Sequence, residues 1–120
     1  MDERRTLRVS EAVREELAEM IGFEMEDPRL IAVDVTEVHV SPDSRHATVK
    51  VSVRGTEREQ AQALAALEHA QSYLRRQLAS RLQLRHVPEL HFDRDKNPDV
   101  ESRIDFLLKR AQKSRGRNES

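Results

Sequence analysis

A chain of 120 residues with 36% charged side chains suits one domain, and folding would bury roughly two-thirds of the unfolded surface, enough for a core without a staple. With 0 Cys there is no disulfide framework, thiolate nucleophile or thiolate metal site, and with Phe23, Phe92, Phe106 and Tyr73 as the only aromatics the core is aliphatic and a base-stacking platform is not expected. The net charge of -1 averages two regimes: residues 1–30 set five arginines against nine acids, whereas four arginines and no acid lie between Glu68 and Glu89.

The N-terminal MDERRTLRVSEAV lacks the apolar run of a signal peptide, and no segment approaches the ~20 apolar residues of a membrane span, so a soluble, cytoplasmic protein is expected. From Val9, the residues Val13, Leu17, Met20 and Ile21 recur at steps of three and four with Ala12 beside them, predicting a helix whose other face carries Glu11, Arg14 and Glu15. Asp27-Pro28 ends it. A strand follows from Leu30 to Val40, but its apolar phase is odd at Ile31, Val33 and Val35 and even at Val38 and Val40, which predicts a β-bulge near Thr36 or Glu37. Ser41-Pro42-Asp43-Ser44 makes a turn, and HATVKVSV returns with Ala47, Val49, Val51 and Val53 on one face.

Gly55 breaks that strand, and Thr56 with Glu59 forms a capping box for a helix starting at Thr56 or Glu57, its face built from Ala63, Leu64, Leu67 and Ala70. At Ala70-Gln71-Ser72 the pattern weakens, predicting a kink or break. Leu74, Leu78 and Leu82 then repeat every four residues in a helix that runs out near Leu84, and Pro88 gives way to a short strand in which Leu90 and Phe92 alternate with Glu89, His91 and Asp93. Asn97-Pro98-Asp99 starts a last helix with an apolar stripe of Val100, Ile104, Leu107, Leu108 and Ala111. Residues 1–112 are therefore assigned to the domain and residues 113–120 to a disordered basic tail.

The 5 histidines are the natural candidates for catalysis or metal binding. If Ser41 pairs with Ser44, His39 and His46 face each other across the hairpin, where two imidazoles could hold a metal; no third ligand is evident, and a solvated cross-strand pair explains them. His86, Glu89 and His91 bracket the third strand, with Glu89 and His91 on one face, but without the fixed helical spacing of an HExxH pair. His69 suits a helix end electrostatically. Gly22, Gly55 and Gly116 form no phosphate loop, and there is no nucleophile elbow. No enzymatic activity, metal or cofactor is expected.

On a helical wheel Arg75 and Arg81 border opposite edges of the leucine stripe, and Arg76 points nearly the other way. A charge-rich helix is usually a solvated face; the absence of acids from Gln71 to Pro88 favours a polyanion site, to which Arg85 and His86 could add.

ALEHAQSYLRRQLASRLQLRHVPELHFDRD, preceded by RRTLRVSEAVREELAEMI, DPRL and DVTEVHVSPDSRHATVKVSV, resembles the bacterial ribosome-binding factor A family from about Arg4 to Leu108. The resemblance implies an α+β fold, a single K-homology-like domain of the second type with the order α-β-β-α-α-β, followed by a C-terminal helix and basic tail. It further implies a non-enzymatic, monomeric assembly factor for free small (30S) ribosomal subunits or their late precursors. Such a factor contacts 16S rRNA, supports maturation of its 5′ end, matters most in the cold, and leaves with an assembly GTPase implicated. Most K-homology domains clamp the backbone with a GxxG loop; this family has an Ala-x-Gly kink, and here Ser72 stands at the glycine, where positive φ would be costly. The family's RNA-binding face carries over to Arg75, Arg76, Arg81 and Arg85, and beyond the helix to Arg45, Lys50 and the tail. The competing reading from another class is a protein-interaction module that docks a partner through the acidic first helix or the stripe of residues 100–111.

Overall fold

The computed structural model describes residues 3–95, in the element order α1 (Glu3–Glu19), a π-helical turn (Met20–Glu24), a 3-10 turn (Pro28–Leu30), β1 (Val33–Val40), β2 (His46–Val53), α2 (Glu57–His69), α3 (Gln71–Leu82) and β3 (Glu89–Arg94). This is the α-β-β-α-α-β order of a type II K-homology-like domain. The expected helix from Asn97 and the tail lie outside the described residues. Among the described residues no helix is long and apolar enough to cross a membrane.

α1 buries Val13 and Leu17 as its periodicity requires, and Ser10 beside them ties the helix to the sheet: its Oγ accepts the Val40 amide at 2.9 Å. The helix does not run to Asp27. It widens into the π turn, closed by the Met25 amide on the Met20 carbonyl at 2.9 Å, and that extra width keeps both Met20 and Ile21 buried. Asp27 instead caps the 3-10 turn, accepting the Arg29 amide at 2.9 Å. Leu30 is therefore a buried plug against α2 rather than the first strand residue, and β1 begins three residues later than its β-branched density suggests.

The sheet order is β1-β2-β3, antiparallel between β1 and β2 and parallel between β2 and β3. A parallel neighbour needs a crossover of a dozen or more residues, which α2 and α3 supply. The bulge falls where the apolar phase slips: Val35 pairs with Val51 and Glu37 with Lys50, leaving Thr36 as the extra residue, its Oγ1 3.1 Å from the Lys50 carbonyl and 3.2 Å from Asp95 Oδ2. Ala47, Val49 and Val51 have no exposure, and they meet Val38, Val40, Leu17, Leu67, Leu74, Leu78 and Leu90 in one aliphatic core. Burying each of the larger side chains contributes roughly 1.5–3 kcal/mol.

One pairing differs from expectation. The Ser44 amide does bond the Ser41 carbonyl at 2.9 Å, but Ser44 is left-handed (φ 62°) and Asp43 Oδ1 accepts the Arg45 amide. These residues lengthen the loop, and the ladder resumes only where the Ser41 amide meets the His46 carbonyl at 2.7 Å. His39 thus stands opposite Thr48, not His46.

Candidate nucleic-acid interface

The half of the domain that holds the arginines is organised by its caps. Thr56 and Glu59 form the reciprocal capping box, preceded by Gly55 at φ 128°, a conformation that an L side chain adopts only with strain. α2 buries Ala63, Ala66 and Leu67; Leu64 and Ala70 sit at the margin. The break is carried by Ala70 at φ -84°, ψ -2°, and Ser72 lies inside α3, exposed and without positive φ. Serine at this position therefore imposes no backbone strain. α3 then ends at Gln83, which is left-handed at φ 50°.

Sequence reasoning missed what secures this kink. Gln71 Oε1 accepts the Leu90 amide at 2.9 Å while its Nε2 donates to Glu68 at 3.1 Å, so one side chain joins α2, the start of α3 and β3. The signal was faint: a glutamine at a helix break reads as solvent-facing.

The structure divides the four arginines. Arg75 is half-buried and donates from Nη2 to the Val87 carbonyl at 2.9 Å, tying α3 to the loop before β3. Arg81 reaches across to the π turn, with Nη1 2.7 Å from Glu24 Oε2 and 3.4 Å from Glu16 Oε2 on α1. The hydrogen bond to Arg81 holds the Glu24 carboxyl below its ordinary pKa, and the same contact keeps the guanidinium protonated beyond its already high value. A clue lay in the charge map, since an acidic N-terminal segment is the natural complement of an acid-free helix. Arg76 and Arg85 are exposed and have no ion-pair partner among the described residues. Arg76 shares the outer face of α3 with Tyr73, one turn away and 41% exposed.

Arg45 is brought to the same end of the domain, because its carbonyl accepts the Glu89 amide at 2.9 Å where the hairpin turn meets the start of β3. Lys50 is not. It lies on the face of the sheet opposite Val49 and Val51, between its cross-strand neighbours Glu37 and Asp93, with Nζ 3.7 Å from Glu37 Oε2. That open face also carries His46, Glu89 and His91, so the sheet surface is acidic and histidine-rich rather than basic.

The model of a known family, "Ribosome-binding factor A", matches residues 5–108. The chain belongs to the ribosome-binding factor A family. It is 72% identical over 120 residues to ribosome-binding factor A of Solibacter usitatus, covering 100% of this chain and 98% of the relative. To that of Thermomicrobium roseum it is 45% identical over 116 residues, covering 97% and 90%. Among solved structures, the crystal structure of ribosome-binding factor A from Thermus thermophilus is similar with a TM-score of 0.67 at 32% identity, covering 74% of this chain and 94% of that one. A Thermus thermophilus ribosome-binding factor A homology model, fitted into the cryo-EM map of a 30S–RbfA complex, is similar with a TM-score of 0.62 at 34% identity over the same shares.

Proposed function

We propose that this protein is an assembly factor that binds free 30S subunits or their late precursors through 16S rRNA, supports maturation of the rRNA including its 5′ end, and matters most in the cold. It acts by binding rather than catalysis, as a cytoplasmic monomer that leaves the particle with an assembly GTPase implicated. Family membership supports the particle, and the relative fitted into a 30S complex supports the subunit.

The observation that carries the interface is the division of the arginines. Among the described residues, Arg76 and Arg85 present guanidinium groups without ion-pair partners at the α3 side of the domain, with Arg45 at the adjoining turn. Phosphate contacts of this kind supply affinity that weakens with salt. Arg75 and Arg81 serve the same surface by positioning α3 and its loop, and Lys50 contributes little because Glu37 offsets its charge.

Sucrose-gradient sedimentation of extract tests the reading. The protein should travel with free small subunits and not with whole ribosomes, and Arg76→Glu with Arg85→Glu should shift most of it to the top of the gradient. Comigration that the double variant leaves unchanged at every salt concentration would overturn the interface; absence from the small-subunit fractions would overturn the function.

A further inference from the structure

The open face of the sheet holds a second constellation outside the proposed arginine interface. β2 and β3 run parallel with His46 beside Glu89 and Thr48 beside His91. Between them Ala47 pairs with Leu90, both essentially without exposure, so the core clamps the two strands where the polar side chains emerge. His46 Nδ1 lies 3.0 Å from His91 Nε2, and the candidate ligand atoms of His46, Glu89 and His91 all lie within 4.8 Å of one another.

We propose that His46, Glu89 and His91 form a surface site for a divalent transition-metal ion of the zinc class. Two imidazole nitrogens and one carboxylate oxygen are a donor set that zinc accepts, and three protein ligands leave a position for water or an outside ligand. The geometry is close to what binding needs: two nitrogens bound at about 2.0–2.1 Å stand about 3.0 Å apart at a right angle and about 3.3 Å apart in a tetrahedron. The ion takes the place of the hydrogen shared between the rings. The ring that donated it carries that proton on its other nitrogen, so no proton is lost.

The backbone at these positions is already held. The Ser41 Oγ accepts the His46 amide at 3.1 Å, the His46 carbonyl accepts the Ser41 amide, and the Arg45 carbonyl accepts the Glu89 amide. The backbone at His46 and Glu89 therefore needs no ordering by the metal. His39, the other imidazole on this face, is engaged 2.7 Å from Glu37 Oε1 and stands outside the set.

Because the three ligands come from two strands, a bound ion would join β3 to β2 and raise the unfolding temperature by linkage. The test is calorimetric titration of the full chain with Zn2+ alone, paired with thermal melts. Saturable binding at one ion per chain is expected, with a higher melting temperature in zinc. His46→Ala and His91→Ala should each remove the shift, Glu89→Gln should weaken binding roughly tenfold, and His39→Ala should change neither readout. All four side chains are exposed, so the variants keep the fold, which the zinc-free melts verify. No saturable binding by the unaltered chain overturns the proposal, as does binding that survives His46→Ala with His91→Ala or is abolished by His39→Ala.

Discussion

Arg76 and Arg81 stand five positions apart on α3 and answer to different partners. The guanidinium of Arg81 is engaged by Glu24 and Glu16, an exposed arrangement in which water screens most of the Coulomb attraction. Its consequence shows best in acid. Glu24 titrates below its ordinary 4.5 in the folded protein, so the pair's stabilisation is complete above that pH and is lost as pH falls through the lowered folded value. Urea titrations between pH 6 and pH 3 should therefore show a shallower acid limb for Glu24→Gln than for the unaltered chain. At neutral pH the same variant should be slightly less stable, and the difference should shrink in high salt.

At the scale of elements, the two ends of α3 make opposite demands. Ser72 is an ordinary helical residue, whereas Gln83 occupies the left-handed region where a side chain is penalised. Ser72→Gly should thus destabilise by about 0.5 kcal/mol, and Gln83→Gly should stabilise by about 1 kcal/mol, both read from urea midpoints. Sequence alone points to the glycine at the wrong end, because the resemblance marks Ser72 and nothing local marks Gln83. Where the determinants are local, the elements were legible: the phase slip at Thr36 shows in the strand's own alternation, and the capping box in four adjacent residues. The π turn was not, since Met20–Glu24 reads as continuing helix until the core requires Met20 and Ile21 together. The hairpin register escaped for a similar reason, because the left-handed Ser44 lengthens a loop whose turn residues allow several lengths. The engagement of Arg81 escaped as well, because its partners lie 57 and 65 positions away in the chain.

For the whole molecule, the near-zero net charge is a sum of faces with different duties. The acidic first segment lends two of its carboxylates to α3, the open sheet face places Lys50 among acids, and among the described residues Arg76, Arg85 and Arg45 at the hairpin turn keep guanidinium groups outside any ion pair. Binding to an rRNA fragment should accordingly respond to the surviving charges and not to the total. In filter-binding series across salt concentrations, Arg76→Ala should reduce the slope of log K against log salt by about 1, and Arg81→Ala should leave it unchanged. Equal changes in both slopes would return Arg81 to the phosphate-contacting set.

Gln71 has a consequence at the border of the molecule. Among the described residues β3 is the last strand of the sheet, and its outward backbone groups are a template on which a second chain could add a strand. The Leu90 amide points to that border and is already taken by a side chain of the same molecule. An incoming strand would find an early rung occupied on a strand only 6 residues long, leaving little ladder to recruit. The glutamine that ties the kink to the sheet thereby also discourages the protein from polymerising along its own edge.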